Sequence, residues 1–313
     1  GATDDQTVVI TITGTNDTPN ITVGGGDSDA ETLAETNAAL STSGTLTVVD
    51  LDLSDSVTPT VLSVVETGTT TGLGSSNAAL LAMLSVSPAS INADVGDANN
   101  LNWSFASGSE FFDYLDDGEQ LVLTYTIRVT DDSSTTDDQT VVITITGTND
   151  TPDITVGGGD SDAETLAETN AALSTSGTLT VVDLDLSDSV TPTVLSVVET
   201  GTTTGLGSSN AALLAMLSVS PASINADVGD ANNLNWSFAS GSEFFDYLDD
   251  GEQLVLTYTI RVTDDSGATD DQTVVITITG TNDTPNITVG GGDSDAETLA
   301  ETNAALSTSG TLT

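Results

Sequence analysis

Lysine, histidine and cysteine are absent from this 313-residue chain, and its two basic side chains, Arg128 and Arg261, stand against 48 acidic ones, for a formal net charge of −46. No thiolate or imidazole is on offer for a zinc or copper site, and no disulfide can form. The usual general bases and activated nucleophiles are missing as well, which leaves only paired carboxylates of the glycosidase kind. Such a pair needs an aromatic-lined cleft, and only 4% of the residues are aromatic. The expectation is a protein that is not an enzyme. So large an acidic excess repels phosphate, which argues against nucleic acid and anionic membrane surfaces as partners. The longest mainly apolar run, Ala78 to Val86, is too short to cross a bilayer. Nothing at the N-terminus has the pattern of a signal peptide, so direct membrane insertion is not expected of this segment, and any targeting or anchoring element is expected to lie outside it.

What the chain does contain is repetition. Thr-Asp-Asp-Gln-Thr begins at Thr3, Thr136 and Thr269, a period of 133 residues. Residues 3–133 and 136–266 differ only at Asn20 against Asp153, and residues 1–47 recur unchanged as 267–313. A unit of this length is the size of one domain and can bury a core without disulfides. With the boundary at Asn-Asp-Thr-Pro, residues 1–17 read as the final strand of a preceding repeat. Residues 18–150 and 151–283 are then two complete repeats, and 284–313 the opening strands of a following one. The two incomplete ends, lacking the rest of their domains, are expected to fray or to pack on a neighbouring molecule.

Within each unit the hydrophobic period is two. Leu121, Leu123, Tyr125, Ile127 and Val129 alternate with Thr124, Thr126, Arg128 and Thr130 on the opposite face; Leu101, Trp103 and Phe105 alternate with Asn102 and Ser104; Val8, Ile10 and Ile12, and Leu46 and Val48, follow the same rule. Turn signals fall at Gly24 to Asp27, Asp94 to Asn100 and Asp131 to Asp138. Asn77 to Leu84 and Ser109 to Leu115 read as short helical turns, the second with Ser109 as N-cap. The pattern predicts an all-β chain of two-sheet antiparallel sandwiches of Greek-key type. Trp103 and Tyr125 read as core rather than as a glycan-binding face. The Asn-x-Ser/Thr triplets at Asn16, Asn20 and Asn102 read as incidental, and Asp94, Asp97, Asp137 and Asp138 as solvated turn residues.

Several motifs occur in a fixed order: Glu35; Gly44-Thr45-Leu46; Asp50-Leu51-Asp52; Leu115-Asp116-Asp117-Gly118-Glu119; Tyr125, Ile127, Val129 and Asp131; and Asn149-Asp150-Thr151-Pro152. Together they resemble a cadherin-type repeat, an immunoglobulin-like sandwich. More closely they resemble the VCBS repeats of giant secreted bacterial proteins, RTX adhesins among them. The resemblance implies an extended tandem array whose junctions between neighbouring identical repeats are rigidified by Ca2+. At the complete junction it implies that the upstream unit supplies Glu35, Asp116 or Asp117, Glu119, Asn149 and Asp150, and the downstream unit Asp183, Asp185 and Asp264. The first junction retains Asn16, Asp17, Asp50, Asp52 and Asp131; the last retains Glu168, Asp249, Asp250, Glu252, Asn282 and Asp283. Gly147 and Thr151 stand where the cadherin linker carries Asp and Asn, which points to one or two ions per junction rather than three.

The residue types agree with calcium, because Ca2+ takes six to eight hard oxygen ligands and needs neither His nor Cys. A further candidate is Asp27, Asp29 and Glu31 after the glycine run, repeated as Asp160, Asp162 and Glu164, where oxygen donors at every second residue are similar to the first part of a calcium loop. The expected function is therefore that of a calcium-stiffened extender on a bacterial cell surface, lifting a glycan- or protein-binding region elsewhere in the protein away from the cell. The alternatives are a module that itself binds glycan or protein, near-identical copies favouring avidity, and a subunit of an extracellular filament.

Overall fold

Alternation along the chain becomes burial across a sheet. The computed structural model describes residues 1–313. In the first repeat the strands are β1 (Asn20–Thr22), β2 (Ala30–Ala34), β3 (Ser41–Val49), β4 (Thr58–Gly68), β5 (Leu84–Ser87), β6 (Leu101–Ala106), β7 (Gln120–Thr130) and β8 (Thr136–Thr146), with helix α1 (Asn77–Ala82) before β5. The five alternating apolar residues of β7, Leu121 to Val129, are completely buried, as are Val141, Ile143 and Ile145 of β8 and Leu101, Trp103 and Phe105 of β6.

Two four-stranded sheets enclose this core, one in the order β1-β3-β6-β5 and the other β2-β8-β7-β4. All pairings are antiparallel except β2 with β8. Lettered in chain order with β1 and β2 as a split first strand, this is the ABED and GFC arrangement of an immunoglobulin-like Greek-key sandwich. The second repeat has the same plan: β9 (Asp153–Thr155), β10 (Ala163–Ala167), β11 (Ser174–Val182), β12 (Thr191–Gly201), α2 (Asn210–Leu214), β13 (Leu217–Ser220), β14 (Leu234–Ala239), β15 (Gln253–Thr263) and β16 (Thr269–Thr279). The chain is thus a tandem of β-sandwiches, each with its own core.

Trp103 and Tyr125 sit within the core, and each finds a partner for its polar end. Trp103 Nε1 donates to the Ser28 carbonyl at 2.7 Å and Tyr125 Oη to the Leu80 carbonyl at 2.9 Å. Phe105 meets Tyr125 edge-on, with ring centroids 6.4 Å apart. The indole packs against Gly44, where a Cβ would come within 2.5 Å of the ring.

Two local expectations are corrected. Ser109 to Leu115 is not helical: Gly108 and Phe112 take φ of 67° and 66°, which breaks a right-handed turn. The true cap is Ser76, whose hydroxyl accepts the Ala79 N–H at the start of α1. Asp137 and Asp138 are strand residues. Asp137 accepts the Ile21 N–H at 3.0 Å, and Asp138 forms a two-pronged pair with Arg128. Gly1 to Pro19, which lacks the rest of its own domain, forms no strand here, and Val8, Ile10 and Ile12 are 80–90% exposed. Their copies Val141, Ile143 and Ile145 are fully buried, so the same sequence becomes strand only where a sheet and a core receive it. From residue 284 on there is likewise only an isolated bridge between Gly291 and Asp293.

Candidate metal centre at the sandwich boundary

Between Ile145 and Ile154 the chain passes from one core to the next through Thr148-Asn149-Asp150-Thr151-Pro152. This linker is tied to both sides. The Thr148 hydroxyl donates to Glu35 Oε2 of the first sandwich at 2.7 Å, and Asn37 Nδ2 to Asp150 Oδ1 at 2.9 Å. Toward the second sandwich, the Asp150 N–H donates to Asp185 Oδ2 at 2.6 Å and Asn149 Nδ2 to Asp264 Oδ2 at 3.1 Å. Gly147 precedes the linker because the carbonyls of Leu115 and Asp116 run against its Cα, leaving no room for a side chain. That is the physical reason an Asp does not occur there.

Three segments bring carboxylates together at this boundary: the Leu115-Asp116 corner of the first sandwich, the Asp183-to-Asp188 loop after β11, and Asp264 at the end of β15. Asp116, Asp185 and Asp188 each place an oxygen within 4.8 Å of the others, and so do Asp183, Asp188 and Asp264. Asp188 belongs to both trios. Asp183, Asp185 and Asp188 are 2%, 0% and 4% exposed, and each keeps one carboxylate oxygen without any hydrogen-bond donor. Beside them Glu35, completely buried, has an unpartnered Oε1, as Asp113 and Asp150 each have an unpartnered oxygen.

Buried carboxylate oxygens with no donor are costly, since desolvation and mutual repulsion both oppose ionisation. Burial pushes Asp183 up to about 6, with the nearby Asp264 and Asp150 charges adding to it. It pushes Asp185 up to about 8 and Asp188 to about 7, the latter helped by the Asp116 carboxyl. Glu35 and Asp113 are raised as well, burial first and the charge of Asp150 contributing to both. The donor set is all oxygen, the orphaned atoms converge from two sandwiches, and the chain supplies no Lys, with its two Arg side chains paired elsewhere. A hard divalent cation is the group this set fits.

The repeat provides its own comparison. At the first junction Asn16 Nδ2 donates to Asp131 Oδ2 at 3.0 Å and the Asp17 N–H to Asp52 Oδ2 at 2.7 Å, reproducing the linker contacts. Asp50, Asp55 and Asp131 form the matching trio, but no preceding corner faces them. At the last junction Glu168 accepts from Thr281, while Asp249, Asp250, Glu252, Asn282 and Asp283 are all exposed.

Of the residues proposed from sequence for the complete junction, Asp116, Asp183, Asp185 and Asp264 lie in the two trios, Asn149 and Asp150 hydrogen-bond to Asp264 and Asp185, and Glu35 lies beside Asp150 and Asp113. Asp117 is exposed and outside both, and the Glu119 carboxylate accepts the Asp116 N–H at 3.3 Å within its own turn. Asp188 and Asp113 were missed. Asp188 is the third acid of Asp183-Leu-Asp185-Leu-Ser-Asp188, a spacing visible in sequence; Asp113 carries no such signal.

The Asp27 set is placed differently. Asp27 Oδ1 accepts from the Thr45 hydroxyl and Asn99, and Oδ2 from the Thr47 hydroxyl and the Gly24 N–H. Burial raises its pKa, yet these four bonds outweigh burial and hold it below the usual carboxylate value; Asp160 behaves alike. Asp27 is thus a filled structural hub. Asp29 accepts from Gln139 and Glu31 from Ser28, and Glu164 accepts from Ser161; Asp162 stands at the place of Asp29. None of the six shares a carboxylate trio.

No protein-family model matches the chain, and no curated protein sequence does. Among solved structures, the protocadherin gammaB4 extracellular domain is similar over 84% of this chain and 33% of its own, at 15% identity and a TM-score of 0.39. Human CDH23 EC21-23 is similar over 84% of this chain and 69% of its own, at 12% identity and a TM-score of 0.39. Human protocadherin-24 EC1-2 is covered over its whole length by 86% of this chain, at 12% identity and a TM-score of 0.35.

Proposed function

We propose that this chain is part of a calcium-rigidified extender of a large bacterial cell-surface adhesin, outside the cell and without catalytic activity of its own. The observation that carries the reading is the pair of carboxylate trios joined through Asp188, with buried oxygens that have no donor. Asp116 belongs to one sandwich and Asp183, Asp185, Asp188 and Asp264 to the next, so a bound cation would link the two bodies. Calcium supplies positive charge for oxygens that otherwise repel one another or take up protons. The resemblance of the motifs to VCBS repeats supports the assignment to a bacterial adhesin, and the repetition of near-identical units suits extension.

For an extracellular module Kd is roughly 10⁻⁴ to 10⁻³ M, and calcium at about a hundred times Kd would stabilise each site by about 2.7 kcal/mol. Small-angle scattering of the 313-residue chain in calcium and in chelator tests the reading. The expected result is a narrow, elongated distance distribution in calcium that broadens or shortens on chelation. An unchanged distribution, together with no heat of calcium binding, would overturn it.

A further inference from the structure

The boundary carries an apolar contact as well as a polar one. Leu186, in the loop between Asp185 and Asp188, packs against the core of the preceding sandwich. Its Cδ1 lies over Gly72, where a Cβ on that glycine would overlap it, and beside the ring of Tyr114. Around this point lies a cleft of about 270 Å3 lined by Gly72, Phe112 and Tyr114 from the first sandwich and Leu184, Leu186 and Val228 from the second. Tyr114 donates its hydroxyl hydrogen to the Thr69 carbonyl at 3.0 Å, which fixes the ring as one wall.

The same residues occur where no neighbour faces them. Leu53, the copy of Leu186, is 74% exposed, whereas Leu186 is half-buried. Tyr247, the copy of Tyr114, is half-buried, whereas Tyr114 is 7% exposed. A Cβ on Gly205, the copy of Gly72, would meet only Tyr247. Sequence and local fold being constant, the difference in burial belongs to the junction.

We infer that Leu186 and the Gly72–Tyr114 socket form an apolar lock that sets the orientation of consecutive sandwiches without a metal, and that the socket is a docking surface for the Asp-Leu-Asp-Leu loop of the next repeat. The lock and the acidic cluster are built from one loop: Leu184 and Leu186 alternate with Asp183 and Asp185, so seating the leucine carries the carboxylates toward Asp116. Leu186 is a positioning residue. Gly72 serves twice, adopting φ of 95° and leaving room for the incoming methyl group.

The lock concerns the junction read above as a calcium site but does not depend on that reading, and the test separates the two. Cysteines introduced at the exposed, equivalent positions Thr60 and Thr193 accept spin labels selectively, because the chain has no native cysteine. The distance distribution between labels is measured in chelator and across a calcium titration for wild type, Leu186→Ala and the control Leu53→Ala, with circular dichroism confirming that each is folded. The lock predicts that Leu186→Ala broadens the distribution in chelator and raises the calcium concentration at half-closure about tenfold, from lost apolar burial, while Leu53→Ala matches wild type. Gly72→Ala against Gly205→Ala gives a second pair with equal backbone strain, of which only the first is expected to broaden the distribution. If Leu186→Ala coincides with Leu53→Ala both in chelator and in calcium midpoint, the lock is overturned. A wild type that ignores calcium while Leu186→Ala still broadens keeps the lock and removes the calcium reading.

Discussion

The Asp150 N–H donates to Asp185 Oδ2 across the boundary between two sandwiches, at 2.6 Å. A backbone group of the linker thereby holds a carboxylate that has no other donor on its second oxygen. The bond anchors the Asp185 carboxylate within reach of Asp116 and Asp188.

Asp188 joins both trios, so its loss should be felt by both. Asp188→Asn is expected to weaken calcium binding at the complete junction by about tenfold or more, since affinity follows ligand charge. Asp55→Asn, at the first junction, should leave that binding step intact. Calorimetric titration of the two variants checks this.

The raised carboxyls give the junction a pH dependence with a definite sign. Asp183, Asp188 and Asp185 hold protons in the closed, metal-free state up to about 6, 7 and 8, above the ordinary carboxylate value of 3.8, and Asp55, the copy of Asp188 that no preceding sandwich faces, is raised as well. Closure without metal is therefore least opposed at low pH, loses ground as pH climbs from about 4, and is fully opposed above about 8. Calcium requires the deprotonated forms, so its apparent affinity should fall as pH drops from 8 to 6. Proton release on binding, measured calorimetrically in buffers of different ionisation enthalpy, should grow as pH falls through that interval.

Asp27 is expected to matter for stability and not for metal. Asp27→Ala strands the Gly24 N–H, two threonine hydroxyls and Asn99, and should destabilise the first sandwich by about 1–3 kcal/mol. Calcium stoichiometry should not change. Denaturant unfolding and titration of one sample test both halves.

Gly44→Ala places a methyl group against the Trp103 indole. Overpacking of this kind costs about 1–3 kcal/mol. Because the two cores are separate, the loss should be confined to the first sandwich, with Gly177→Ala doing the same to the second. Tryptophan fluorescence during unfolding resolves the two transitions if one of Trp103 and Trp236 is replaced by Phe.

Much of the fold was legible because burial on a sheet face leaves a period of two, and Leu123 to Val129 display it clearly. Trp103 and Tyr125 could be assigned to the core on the same ground. The Ser109 segment could not: its composition suits a helix, and the positive φ at Gly108 and Phe112 that breaks it leaves no mark in the sequence pattern. For the site, Asp183 and Asp185 stood out as a close pair, whereas Asp188 gains its place from the turn in which its N–H bonds the Asp185 carbonyl. The choice between Asp116 and Asp117 was not visible either. Adjacent residues point apart, and only the corner's path decides which one meets the next sandwich. Asp27 shows the converse case, an acid at ligand-like spacing whose lone pairs are already taken by neighbours far along the chain.

The split of the first strand has a mechanical consequence. β2 lies parallel to β8 over Ala30–Ala34, and β8 leads directly into the linker. Tension along the array pulls these two strands past one another lengthwise, so their rungs share the load instead of opening one at a time. Resistance to forced unfolding is governed by the unfolding rate, and once the three-residue β1 has come away from β3 this five-residue ladder is the contact loaded in shear. A protein built from such units would yield at its hinges first and at its domains last.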